Sequence, residues 1–167
     1  MSLLSALART AVDNARRSLD ELQRTVAERT SIAPVDGGPP GTITTLPREE
    51  CELLLAEGCI GRLAYVARAG VPEVTPVNYL WHDGAVLIRS GPGPKLQAAD
   101  RRETVAFEID HVDEESCTGW SVVVAGRASR VPPEEAARLP LPQPWSDGTR
   151  RHVIRVDAAR VSGRRIL

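Results

Sequence analysis

The chain has 167 residues, enough for one domain with an appendage and a sizeable core. Its 42% apolar and 26% charged residues are those of a soluble globular protein, and a net charge of −1 provides no global field to recruit nucleic acid or a membrane. Three cysteines (Cys51, Cys59, Cys117) and three histidines (His82, His111, His152) lack ligand spacing, which argues against a disulfide framework or a zinc site.

Residues 2–30 read as one long amphipathic helix. Ala8, Val12, Ala15, Leu19, Leu22 and Val26 form a thin, heptad-type apolar seam suited to a weak helix pair or to docking. Charged residues interrupt the opening too often for a signal h-region or a membrane span, so the cytoplasm is the expected location. The cluster from Ala33 to Gly41, rich in proline and glycine, is a linker. The expected organisation is an N-terminal helix over 1–33, a linker over 34–43 and a main domain over 44–167.

Leu46 to Gly58 reads as a short helix, with Pro47 at its first turn, acids behind it and Gly58 at its end. From Cys59 the period changes to that of strands. Cys59–Ala67 and Val71–Trp81 are strand-like, and Pro76 in the second implies an edge or a ladder break. Asp83-Gly84 is a hairpin turn and Ala85–Arg89 the return strand. Pro94–Asp100 is one or two helical turns. Thr104–Asp110 alternates as a half-buried strand, with an acidic loop over His111–Glu115. Trp120–Val131 is a long strand, a short helix follows Pro132, and Leu139–Trp145 is irregular. His152–Val156 and Arg160–Ile166 are the last strands. Such sequential strands with small inserted helices make a mainly β protein that closes into an antiparallel barrel.

Charge is distributed unevenly along this order. Residues 1–33 carry five Arg against four acids, residues 34–149 ten Lys/Arg against 17 acids, and residues 150–167 six Arg against one Asp. In the basic C-terminal strip the cations alternate with apolar residues, which fits a strand with a solvated face better than a nucleic-acid patch.

Lys95 is the only lysine among 21 Lys and Arg residues and follows the loop Ser90-Gly-Pro-Gly-Pro. Lys acts on phosphate as a compact point charge where Arg offers a larger planar fork. Arg89 and Ser90 end the preceding strand, the glycines let backbone approach an anion, and Lys95 opens a helical turn. Two cations and a hydroxyl suit a terminal phosphate monoester, and the spacing is not that of a nucleoside-triphosphatase loop. Across the hairpin, Thr75-Pro76-Val77-Asn78-Tyr79 offers a strand along which a planar heterocycle can lie, with the Asn78 amide at its polar edge. Trp120, after Gly119 at a strand start, is either core or a stacking surface. No nucleophile has an identifiable partner, so any redox chemistry belongs to a bound cofactor.

In order and spacing, Gly61-Arg-Leu-Ala64, Pro76-Val-Asn-Tyr79, Ile88-Arg-Ser-Gly-Pro-Gly-Pro-Lys95, Val105-Ala-Phe-Glu-Ile-Asp110, Gly119-Trp-Ser-Val122, Gly126-Arg-Ala128 and Gly163-Arg-Arg-Ile166 carry a resemblance. The chain from about Leu46 to Ile166 resembles the pyridoxamine 5′-phosphate oxidase-like, FMN-binding split-barrel family, in its nitroimidazole-resistance-related branch. The resemblance implies a six-stranded antiparallel split β-barrel with short helices, working as a homodimer with FMN at the subunit interface. It implies that Arg89, Ser90 and Lys95 hold the flavin phosphate, that the ring lies against Pro76–Tyr79, and that Trp120 reaches the partner's flavin. The expected activity is a flavin-dependent oxidoreductase acting on a small molecule. Two alternatives stand beside it: a deazaflavin (coenzyme F-420) reductase on the same fold, and a non-catalytic flavin-binding or scaffold protein. The substrate-phosphate residues of true pyridoxamine phosphate oxidases are not recognisable, which speaks against vitamin B6 oxidation.

Overall fold

A computed structural model describes residue 39 and residues 41–68, 70–143, 145 and 150–167. The chain divides at Gly38/Pro39, and all described residues belong to the second unit. The helix expected over residues 1–33 lies outside them.

The element order is β1 (Ile43–Leu46), α1 (Arg48–Glu57), β2 (Ile60–Val66), β3 (Pro72–His82), β4 (Ala85–Ser90), α2 (Pro94–Asp100), β5 (Thr104–Asp113), β6 (Thr118–Val131), α3 (Pro133–Ala136) and β7 (His152–Ile166). All strand pairs are antiparallel. The spatial order β7-β4-β3-β2-β5-β6 closes through β6–β7 pairing into a six-strand barrel, and β1 adds to the C-terminal half of β7. The expected mainly β barrel with few short helices is thus the observed fold.

The alternation seen in the sequence is what fills the barrel. Leu63, Val77, Tyr79, Val86, Ile88, Phe107, Val122, Val124, Ile154 and Val156 are buried inside, and most residues between them are more exposed, while Leu87 of β4 is fully buried as well. The Asp83-Gly84 turn has φ of 47° and 69°, the doubly positive geometry of a two-residue type I′ hairpin, and it pairs His82 with Ala85 as expected. β3 is paired unevenly. Residues Pro72–Asn78 pair with β2, and only Tyr79–His82 pair with β4. Pro76 therefore sits on a strand edge with no ladder neighbour on its β4 side, which is why a residue without an N–H is accepted there.

Three elements depart from expectation. β1 forms from Ile43-Thr-Thr-Leu46, where linker and helix start were expected; two threonines and an isoleucine give it strand character, and it pairs Ile43–Leu46 with Gly163–Ile166. The acidic stretch His111–Asp113 continues β5 rather than looping, because its backbone pairs with Thr118–Trp120 of β6. β7 is one continuous strand with an irregularity opposite Ala125/Gly126, not two strands.

α1 covers one end of the barrel with Cys51, Leu54 and Leu55. The buried Tyr79 hydroxyl donates to the Leu55 carbonyl at 2.8 Å, satisfying one of the last-turn acceptors that a helix cannot pair internally. Burial first, and then the nearby Cys59, push the Tyr79 phenol far above its ordinary pKa, so it stays a neutral donor. Replacing it by phenylalanine strands the carbonyl. Tyr79→Phe is expected to cost ~1–2 kcal/mol in urea unfolding, with the fold intact by circular dichroism. Among the described residues, no helix is long and apolar enough to cross a membrane.

Candidate functional site

The uneven pairing of β3 creates the site. β3 and β4 part company beyond Tyr79 and Ile88, so Thr75–Asn78 on one side and Arg89–Ser90 on the other border a gap. On its far side β4 stays laddered to β7, with Arg89 opposite Val153 and Ser90 opposite His152. The β3 edge facing the gap presents backbone N–H and C=O groups with no strand partner there, the groups that can meet the polar rim of a flat heterocycle.

Arg89 is half-buried, and its buried Nε has no hydrogen-bond partner among the described residues. A donor left unpaired in the protein interior is costly, and a ligand oxygen is the ordinary remedy. Lys95, at the start of α2, is also half-buried. Burial first, and then the charge of Arg150, lower its pKa. Among the described residues neither Arg89 nor Lys95 has a carboxylate ion-pair partner, although surface arginines elsewhere do, as in Arg130–Asp100 and Arg155–Asp157. Two half-buried cations without carboxylate partners among the described residues, one of them carrying a buried unsatisfied donor, suit an anion. This is the arrangement a flavin phosphate needs, so the residues present fit that group.

The other candidates divide. Ser90 is fully buried, and its Oγ donates to the Gly91 carbonyl at 2.7 Å, shaping the loop that leads to Lys95. The Asn78 amide oxygen accepts from the Trp145 backbone N–H at 3.2 Å, so this side chain holds Trp145 against β3. Thr75 lies 3.4 Å from the Tyr65 hydroxyl, which itself donates to Glu73 at 2.6 Å. Pro76 faces outward. Val77 and Tyr79 point into the core, where the Tyr79 ring centroid is 4.7 Å from that of Phe107, and the Tyr79 N–H donates to the Cys59 carbonyl at 3.0 Å, so neither side chain borders the gap. Trp120 is not beside Arg89 or Lys95 within the chain. It lines a separate cleft of about 600 Å³ between the β5–β6 hairpin and the C-terminal end of β7, together with Ile43, Glu108, Asp110, Val112 and Arg164.

Sequence reasoning missed two features. One is the charged network on the outer face, where Arg62 pairs with Asp110 and lies 3.5 Å from Glu108. Arg62 and Glu108 are register partners, and a β2–β5 pairing would have revealed them. The other is Arg150, whose charge reaches Lys95 from 55 positions further along the chain.

An antiparallel barrel that opens a cation-lined gap between two diverging strands defines the class of this protein. The chain belongs to the pyridoxamine 5′-phosphate oxidase family, whose sequence profile matches residues 47–165. Rv0080, an uncharacterized protein of Mycobacterium tuberculosis, is 37% identical over 132 residues, covering 75% of this chain and 86% of its own. Among solved structures, an FAD-binding protein of Mycobacterium smegmatis is 29% identical with a TM-score of 0.57, covering 75% of this chain and 100% of its own. An FAD-binding protein of Mesorhizobium loti is 27% identical with a TM-score of 0.63, covering 75% of this chain and 99% of its own.

Proposed function

We propose that the protein binds a flavin by its phosphate and serves as a flavin-dependent oxidoreductase for a small molecule, working as a homodimer. The observation that carries the reading is the buried Nε of Arg89, which has no hydrogen-bond partner among the described residues and stands where β4 parts from β3, six positions before the half-buried Lys95. The two solved relatives described as FAD-binding support a flavin, and FMN is the part of FAD that a ring-plus-phosphate site engages. When bound, the flavin ring supplies the hydride and electron chemistry for which no side chain here is equipped. The chain's residues contribute the rest: Arg89 and Lys95 neutralise the phosphate, and the β3 edge orients the ring's polar rim.

The outer face supports the dimer. Register aligns Val74, Ala64, Ala106 and Ala125 in one apolar row across β3, β2, β5 and β6. A second row joins Ile43, Ile166, Gly119 and Val112 across β1, β7, β6 and β5. In these rows Val74 is 64% exposed, Val112 64% and Ile43 62%, more apolar surface than a lone barrel gains by showing to water. A second copy laid on this face covers both rows and brings the cleft that holds Trp120 toward the partner's ring.

Purified protein is expected to carry a flavin absorption spectrum or to acquire one on titration with FMN or FAD, and to elute as a dimer. A colourless protein that neither perturbs the spectrum of added flavin nor quenches its fluorescence would sink the reading. Titration with coenzyme F-420 in competition decides between a flavin and a deazaflavin. Val74→Asp is expected to give a monomer in light scattering while the barrel stays folded.

A further inference from the structure

The ladder between β3 and β4 stops at Tyr79 and Ile88. Continued by one step it would pair Asn78 with Arg89, and it is here that the gap begins. Val77 and Tyr79 are buried in the core, so Asn78 between them turns its side chain to the outer face. Ile88 and Ser90 are buried as well, so Arg89 between them points the same way. On this outer face the Asn78 amide oxygen accepts from the Trp145 backbone N–H at 3.2 Å. Trp145 is thus held by its main chain at the place where the two strands part.

That hydrogen bond makes no use of the indole. The Trp145 side chain is 71% exposed, the most of any large apolar side chain among the described residues. A single exposed valine or leucine is ordinary on a protein surface, but tryptophan offers far more apolar area for burial than either. The strand edge beside it supplies a complementary element. The Tyr79 N–H is turned toward β2, where the Cys59 carbonyl accepts it at 3.0 Å. Main-chain groups alternate in direction along an antiparallel strand, so the N–H and C=O of Asn78 are directed to the other side, into the gap. A donor and an acceptor in the plane of the sheet and an aromatic ring on its outer face therefore meet at one residue. A flat heterocycle with a polar rim requires both: in-plane hydrogen bonds and a stacking surface.

We propose that Trp145 is a cofactor-contacting residue of this site, its indole stacked on the isoalloxazine ring whose polar rim meets the β3 edge at Asn78, and that the Asn78 side chain is the group that positions it. The inference rests on the flavin reading above. It adds to that reading a contact with the ring itself, where Arg89 and Lys95 hold only the phosphate end. Neither the phosphate nor the adenine of FAD takes part in this contact.

The test titrates riboflavin, FMN and FAD by absorbance into the full chain and into Trp145→Ala, Trp145→Phe, Asn78→Ala and the Asn78→Ala/Trp145→Ala double variant. The expected result is an affinity about five- to a hundredfold weaker for all three flavins in Trp145→Ala, since the ring is common to them. Trp145→Phe should keep part of the affinity, because phenylalanine still stacks. It should also brighten the emission of the bound flavin, because a stacked indole quenches the excited ring and a phenyl group does not. Trp81→Phe, which changes a tryptophan packed against the core, should leave the emission as in the parent. Asn78→Ala releases Trp145, so the double variant should bind no more weakly than Asn78→Ala by the full Trp145→Ala factor. Urea unfolding of flavin-free Trp145→Ala should match the parent, as its exposure implies. Parent-like affinity for all three flavins in Trp145→Ala would overturn the proposal and leave the flavin reading standing. A loss confined to FAD would set Trp145 against the adenine, and a flavin-free variant that unfolds early would make the residue structural; either overturns the proposal. A parent protein that binds no flavin would overturn the flavin reading and this inference with it.

Discussion

Gly126→Ala is expected to destabilise the barrel by at least ~3 kcal/mol, beyond the usual range for adding one methyl group. Gly126 lies in β6 opposite Ala158, at the point where the β6–β7 register shifts between Ala125 and Gly126. A Cβ at this position would overlap the Asp157 carbonyl, which is backbone and cannot rotate away. To make room, β7 has to retreat at its bend. The same bend directs the Ala158 N–H to the Gly84 carbonyl at 3.1 Å, and it lets β7 leave β4 after Asp157 and take up β1 from Gly163. The substitution thus strikes the one place where β7 serves both the barrel and its added strand. Urea unfolding measures the loss. Arg127→Ala, next in sequence but exposed, is expected to change stability by about 0.5 kcal/mol or less. Equal stability of the two variants would show that β7 relaxes around the extra carbon without penalty.

The same bend marks a limit of what the sequence discloses. Residues Arg160–Ile166 and His152–Val156 both read as strands, but nothing local says that Asp157–Ala159 joins them, because a bulge is fixed by its partner strand rather than by its own residues. His111–Asp113 misled for the opposite reason. Its charges belong to a loop by composition, yet a long hairpin projects beyond the barrel, where both faces meet water and acids cost nothing. Where the signal is local, the reading held. Asp83-Gly84 forms the hairpin turn, Pro76 sits on an unpaired edge, and Pro94–Asp100 is the helix.

The site divides along the same line. Arg89, Ser90 and Lys95 are contiguous, so their grouping was legible from the chain alone. That the Ser90 hydroxyl is spent on Gly91 and that Tyr79 is a core residue holding α1 were not, since strand alternation needs a known inside and outside. Arg150 was invisible because only the β4–β7 register brings it near Lys95.

Lys95→Met is expected to weaken FMN binding by ~1.5–3 kcal/mol and, more diagnostically, to abolish a pH dependence that the parent shows on the alkaline side. In the free protein the Lys95 pKa is lowered, by burial first and by Arg150 second. A bound phosphate favours the charged ammonium and raises that pKa again. Below the lowered value Lys95 is protonated in both states and affinity is flat. As pH rises through the lowered value, only the free protein loses the proton, and binding must then restore it. Affinity falls by up to about tenfold per pH unit from this single group, until the bound state also deprotonates. Stability of the free protein moves the other way over the same interval. The folded state disfavours the charge relative to the unfolded chain, so the cost of burying it is full below the lowered value and is released as pH climbs toward the ordinary lysine range. Opposite slopes for flavin affinity and free-protein stability, both absent in Lys95→Met, are what a buried cation held ready for an anion produces. An alkaline loss of affinity that persists in Lys95→Met would belong to the flavin ring or to another group, and would remove Lys95 from the site.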